Sequence, residues 1–343
     1  MSAFRAQLQA LQIGSLPYLD PDRACALVFE HFADIPSWPQ LPRRVFQENM
    51  YAQFSERFPG IVMEQDRVWC DRSRDLDPEL TRLYAAYLDD DLSYGETSAG
   101  YALGLHTFAQ RVSEQAQKPA IVKGQVTGPV SWGLTVVDQN RRPILYDDIL
   151  SDAVAKHLRL KARWQEAFLR RLCDTVIMSI DEPFMSSFGS AYVSLSREMA
   201  IALLEEVLSG LAGLKMVHCC GNTDWSLLLA TSTQILSFDA YDYAVNLALY
   251  PAEIEAFLAR GGILAWGITP NSPAVWNETV DSLVERLLAA MGLLVQKGFR
   301  LDDILGASLI SPACGLGPVS EELADRILVL TSGVSRAMRA RYL

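Results

Sequence analysis

A chain of 343 residues, 50% hydrophobic and 9% aromatic, has ordinary globular composition and enough apolar content for a large core. The formal net charge of -11 excludes nucleic acid and anionic membrane surfaces as the main partner, since basic residues are scattered in isolated pairs such as Arg43-Arg44, Arg141-Arg142 and Arg170-Arg171. No apolar run reaches the roughly 18–20 residues that span a bilayer, Met1–Arg5 have no signal-peptide core, and six Cys do not make a disulfide framework; a cytoplasmic protein without membrane association is expected.

Short apolar runs alternate with longer helical patterns. Leu11-Gln12-Ile13-Gly14-Ser15 is a short strand ending in a small-residue loop, and Asp20 and Pro21 are the N-cap and first position of a helix through residue 32. Residues 38–41 make a second strand, 46–58 a helix, and 61–71 a hairpin outside the main plan. Residues 80–115 read as helical with a break at Tyr94-Gly95-Glu96. Strands then follow at 120–125, 175–180, 214–217, 234–238, 263–266 and 305–310, with helices at 152–172, 197–211, 224–229, 251–259, 279–297 and 320–338. About eight strands separated by helices predict a (β/α)8 TIM barrel, one α/β domain over residues 1–343 with a small excursion after the second strand. A doubly wound open sheet is disfavoured, because no Gly-rich phosphate turn follows the first strand.

The unusual residues fall just after the strands, where such barrels carry their active face. In Val217-His218-Cys219-Cys220-Gly221-Asn222 a strand's period of two puts His218 and Cys220 on one face and Cys219 on the other. Cys314, between Pro312 and Gly315, ends another strand. Either these are a core His and two buried thiols, or they are three N/S ligands of a catalytic zinc with an open fourth position. Cys219, Cys25, Cys70 and Cys173 read as packing thiols, and His31, His106 and His157 as structural or solvated. Asp239 ends the strand next to that of His218; it is a fourth oxygen ligand, a hydrogen-bond partner that orients His218, or a helix N-cap. Asp181-Glu182 before Pro183 either bind an amine or act as acid and base, or simply form a turn. Gly14 lets a ligand approach the backbone, and exposed N–H groups with the Ser15 hydroxyl suit a carboxylate. Gln125, Thr127, Gly128, Pro129 and Trp132 are expected to form a further wall of the pocket.

Together Ile13-Gly14-Ser15, Thr127-Gly128-Pro129-Val130, Ile180-Asp181-Glu182-Pro183, His218-x-Cys220 and Pro312-Ala313-Cys314-Gly315-Leu316, in that order, resemble the catalytic barrel of cobalamin-independent methionine synthase. The run from His218 to Thr223 is also similar to the His-x-Cys-Gly-Asn-Thr segment of the corrinoid-dependent coenzyme M methyltransferases, which belong to the uroporphyrinogen decarboxylase-like barrels. The resemblance spans essentially the whole chain. It implies that His218, Cys220 and Cys314 ligate Zn2+, that Ile13 and Ser15 hold the homocysteine carboxylate, and that Asp181 holds its amine. It places the extra acidic zinc ligand at or near Asp239, shorter than the usual Glu. The acidic residue that grips the amine after the second strand falls at Gln47 or Glu48.

The folate-using synthase has two barrels, and 343 residues have room for the catalytic one. A methylcorrinoid, free or carried by a corrinoid protein, is therefore the expected methyl donor. The expected activity is zinc-dependent methylation of homocysteine to methionine. The alternatives are coenzyme M or another small thiol as acceptor, a metal-free uroporphyrinogen decarboxylase-like lyase, and a non-catalytic metal- or corrinoid-handling protein.

Overall fold

The structure, a computed structural model, describes residues 4–190 and 193–343. The segment Met1–Arg5, read above for signal-peptide character, lies partly outside them. Among the described residues nine strands form: β1 (Ile61–Glu64), β2 (Arg67–Cys70), β3 (Ile121–Thr127), β4 (Val137–Asp138), β5 (Thr175–Asp181), β6 (Leu214–Cys219), β7 (Ile235–Asp239), β8 (Ile263–Thr269) and β9 (Ser308–Pro312). Six of them make a parallel sheet in the order β3-β5-β6-β7-β8-β9. The two expected N-terminal strands close it into a ring through single bridges. Ala10 pairs with Ile310, Ser15 with Gln40, and Ser37 with Lys123, all parallel. Backbone bonds from Leu11 N to Ile310 O (2.9 Å), Gln40 N to Gly14 O (3.0 Å) and Lys123 N to Pro36 O (2.9 Å) seal the seams. The eight-membered parallel ring is the TIM-type α/β barrel that the βα rhythm predicts.

Two hydrophobic cores lie on either side of the strands. The interior one is built from inward positions, including Leu11, Ile35, Ile177, Met216, Ile235, Ile263 and Leu309. The larger one fills the space between the sheet and the surrounding helices. Higher in the barrel the inward positions turn polar: Gln125, Ser179, Asp181, His218, Ser237 and Ser311 are all buried. Polar groups therefore gather at the C-terminal end of the ring, above an apolar plug.

Three local expectations change. Residues 46–58 give a 3-10 turn (Phe46–Glu48) and one short helix (Met50–Gln53) rather than a long helix. Leu305 belongs to the helix Leu301–Gly306, and the last strand starts only at Ser308. Short apolar runs fit either structure, and acidic Asp302 and Asp303 in the first turn favour the helix here. Helices Pro129–Thr135 and Ala240–Leu247 join the predicted set.

The excursion after the second strand runs from Arg43 to the start of helix Leu103–Glu114. It contains the expected hairpin, β1 paired antiparallel with β2, and β4 adds to it in parallel. Buried groups on the long helix Asp148–Arg170 tie it to the barrel. His157 Nε2 lies 2.8 Å from Phe54 O, and Lys161 Nζ donates to Glu96 O at 2.6 Å. Burial pushes the His157 pKa down to about 3 and that of Lys161 down to about 7. Anchored in this way, the excursion brings Arg43, Glu48, Asn49 and Met50 over the polar end of the barrel.

Gly104 tests how tightly the helix after the excursion seats on the second strand. A Cβ there would lie 1.9 Å from the Pro39 carbonyl oxygen, whereas one at Gly292, also in a helix, meets nothing within 4 Å. Gly104→Ala is expected to lower the unfolding free energy by about 1–3 kcal/mol or more. Gly292→Ala is expected to be neutral or stabilising by up to about 1 kcal/mol. Chemical denaturation midpoints of the two variants measure the difference.

Candidate metal centre

Register decides which side chains meet. In the parallel ladder Asp181 of β5 pairs with His218 of β6, which pairs with Ser237 of β7. Partners in register share a face, so all three point into the barrel at one level. His218 Nδ1 lies 3.0 Å from Ser237 Oγ. Its Nε2 is buried with no hydrogen-bond partner among the described residues. With Nδ1–H donating to Ser237, the lone pair sits on Nε2. Cys220, just past the end of β6, and Cys314, just past β9, bring their sulfurs to this nitrogen. The three donor atoms lie within 4.8 Å of one another. Among the described residues this is the one group of three or more His, Cys, Asp or Glu side chains placed to hold a metal ion.

The two thiols share a hydrogen bond, which pulls the Cys220 pKa down and pushes that of Cys314 up. Cys219 faces the other way, with its Sγ 3.5 Å from Gly221 O, and burial pushes its pKa up to about 12. An orphaned ring nitrogen beside two thiols is a mixed N/S donor set that fits Zn2+, with a fourth position left for a ligand.

The cluster opens into a cavity of about 420 Å3. Ile13, Ser15, Glu48, Asp181, His218, Cys220 and Cys314 all line it. Asp181 accepts from Ser179 Oγ at 2.6 Å; burial pushes its pKa up, while the Lys123 ammonium pulls it down. Glu48 is buried, with Oε1 held by Arg44 Nε at 3.0 Å and Oε2 unpartnered among the described residues. Burial pushes its pKa up as well. Gln47, the other residue considered after the second strand, is not on the lining. Ser15 Oγ accepts from Gly317 N at 3.2 Å. A Cβ on Gly315 would lie 2.3 Å from that oxygen, so only glycine lets the loop after β9 close against Ser15.

Other expected site residues lie elsewhere. Asp239 is the N-cap of helix Ala240–Leu247, accepting from Asp242 N at 3.0 Å, and burial pushes its pKa up to about 6. It is outside the donor cluster and the cavity lining, and Ser237 occupies the orienting position beside His218. Gln125 is also off the lining: its amide donates to Trp38 O at 3.0 Å and its carbonyl accepts from Lys123 Nζ at 3.2 Å. The rest of that expected wall supports the cavity from behind. Thr127 and Trp132 donate to the Met50 and Tyr51 carbonyls, each at 2.8 Å. Glu182 is turned away from the cavity and accepts from Val130 N (3.0 Å), Ser131 N (2.7 Å) and Ser131 Oγ (2.6 Å). Burial raises its pKa to about 7.

Sequence reading missed Ser237, Lys123, and Arg43, Asn49 and Met50 on the lining. Ser237 carries one signal, since it is two residues before Asp239 and shares its face; its pairing with His218 is a matter of register.

No protein-family model and no curated protein matches the sequence. Solved structures do share its fold. A B12-independent methionine synthase from Shewanella sp. W3-18-1, in complex with selenomethionine, aligns with a TM-score of 0.62 at 18% identity, covering 97% of this chain and 98% of that one. A methyltransferase from Methanosarcina mazei aligns with a TM-score of 0.62 at 15% identity, covering 99% and 95%. At such identities the likeness is one of barrel architecture over the full length of each chain.

Removing the partner of Nδ1 should loosen the donor set without touching a ligand. Ser237→Ala is expected to weaken Zn2+ binding by about 10–100-fold. Competition against a chromophoric chelator measures it; unchanged affinity would show that His218 is oriented by other means.

Proposed function

We propose that this protein is a zinc-dependent thiol methyltransferase that makes methionine by methylating homocysteine, with methylcobalamin or a methylated corrinoid protein as the methyl donor. One observation carries the reading: the unpartnered Nε2 of His218 and the sulfurs of Cys220 and Cys314 converge at a cavity whose wall also holds the carboxylates of Asp181 and Glu48. His218, Cys220 and Cys314 would hold Zn2+. Bound there, the ion would acidify an incoming thiol, whose pKa of ~8.5 otherwise leaves only a few per cent as thiolate at neutral pH.

The chain's own groups suit the rest of an amino-acid thiol. Asp181 and the free Oε2 of Glu48 offer acceptors to an ammonium group, and the Ile13–Ser15 backbone with the Ser15 hydroxyl suits its carboxylate. Held in this way, the sulfur faces the methyl group with little orientational freedom left to lose. Its lone pair would form the S–CH3 bond as the C–Co bond of the donor broke with both electrons left on cobalt, and the thiol proton would go to solvent. Catalysis of this kind needs no base on the sulfur once the proton has left.

Among the described residues Arg43 is the one Lys or Arg side chain on the lining, against two carboxylates. That balance suits a methyl donor without a polyanionic tail better than a polyglutamyl folate. It also disfavours a decarboxylase acting on a substrate with several acidic side chains. A barrel of the same architecture is that of a B12-independent methionine synthase, and the two carboxylates beside the donor cluster support a thiol acceptor that carries an amine. A partner other than small molecules or a corrinoid protein is not called for, and no helix among the described residues is long and apolar enough to cross a membrane.

The test is methionine formation from homocysteine and methylcobalamin, with and without a zinc chelator, beside parallel arms with methyltetrahydrofolate as donor and coenzyme M as acceptor. Activity is expected in the first arm and lost with the chelator. Cys220→Ser and His218→Ala should abolish both zinc binding and methylation while the barrel stays folded by circular dichroism. Full activity in a zinc-free variant would overturn the reading, and turnover with the folate or coenzyme M arm alone would replace the donor or the acceptor.

A further inference from the structure

Lys123 is fully buried inside the barrel, in register with Ile177 of the apolar plug. Burying an ammonium costs several kcal/mol unless its protons are well used. Here Nζ donates to the Ile13 carbonyl at 2.5 Å and to Gln125 Oε1 at 3.2 Å. Both contacts are neutral; burial pulls the Lys123 pKa down to about 8, and the Asp181 carboxylate is the charge that favours the cation.

The place of these contacts matters. The first strand joins the ring through isolated bridges at Ala10 and Ser15, with no continuous ladder over the residues between. Ile13 and Ser15 are nevertheless the part of it that lines the cavity. Between them Gly14 sits at φ +155°, and a Cβ there would be 2.7 Å from the Gln125 side chain. Backbone bonds hold the wall at Gly14 O (from Gln40 N, 3.0 Å) and Ser15 O (from Leu316 N, 2.8 Å); the Ile13 carbonyl is held instead by Lys123, which Gln125 supports from within the barrel.

Resting on the function proposed above, we infer that Lys123 is a positioning residue for the amino-acid end of the substrate: it fixes the Ile13 carbonyl, and with it the Ile13–Ser15 wall, facing Asp181. It touches neither the donor cluster nor the sulfur's place, so its loss should affect recognition of the α-amino-acid group and leave the metal in place.

The experiment uses the full chain loaded with zinc, and compares homocysteine with a thiol of similar length that lacks the ammonium and carboxylate, such as 1-propanethiol. Lys123→Met keeps the stem and removes the donors. It is expected to raise KM for homocysteine about 10–100-fold, the loss typical of about 1.4–2.7 kcal/mol of binding. At saturation kcat should fall less than about 3-fold, and the KM for propanethiol and the zinc stoichiometry should stay within about 2-fold. Lys123→Gln keeps a neutral N–H donor on a shorter stem; if Lys123→Met does not accumulate as folded protein, the same selective rise in the Gln variant decides. Equal losses for both thiols, or an unchanged KM for homocysteine in a folded variant, would overturn the inference. Failure of the wild-type chain to methylate homocysteine at all would instead overturn the function on which it rests.

Discussion

The contact between His218 Nδ1 and Ser237 Oγ, 3.0 Å apart, settles which face of the imidazole is left over. A buried nitrogen with no partner costs about 1–3 kcal/mol. The fold keeps Nε2 in that state and sets two thiols beside it. Such an arrangement makes sense if something else satisfies all three groups. Everything that places the cluster follows from parallel strand pairing: β5, β6 and β7 hold Asp181, His218 and Ser237 in one row, and the ends of β6 and β9 deliver the cysteines.

The rest of the cavity is built by a different rule. Six strands form a continuous ladder, whereas the first two close the ring by single bridges. The gap in regularity is filled by side chains. Lys123 holds the Ile13 carbonyl of the first strand from inside, Gln125 holds Lys123 and the Trp38 carbonyl of the second, and Trp38 Nε1 donates to Gln165 Oε1 at 3.0 Å. The excursion between the second strand and its helix then closes over the open end. Regular pairing places the donor cluster that would hold a metal, and irregular backbone supplies the surfaces that would recognise a substrate, the usual division of labour between a barrel's strands and its loops.

Much of this is legible in the sequence, for reasons that differ from residue to residue. From residue 120 onward each strand is a compact apolar run with a helical pattern behind it, and the ring follows. Alternation alone separates Cys220 from Cys219, since a period of two needs no tertiary information. Glu48 is visible only as an acid soon after the second strand; its burial comes from the way the excursion folds back, with Oε1 between Arg44 Nε (3.0 Å) and Leu103 N (3.4 Å). Asp239 illustrates the opposite case. A carboxylate at a strand end and a helix N-cap are the same residue type in the same place, and the neighbouring helix Ala240–Leu247 was not apparent. Ser237 and Lys123 owe their parts to lateral register and to a carbonyl 110 positions away along the chain, neither of which periodicity encodes.

The apolar plug has a further consequence. Ile177, Met216, Ile235, Ile263 and Leu309 seal the barrel below the polar layer, so the cavity is a blind well with its mouth at the excursion. In a reaction between a small partner and a bulky one, a well of about 420 Å3 imposes traffic rules. On the proposed function a small thiol would descend first, because a corrin ring across the mouth would bar its way, and the methylated product would wait until the bulky donor lifted off. A compulsory order of binding and release would then follow from which end of the barrel is filled with apolar side chains.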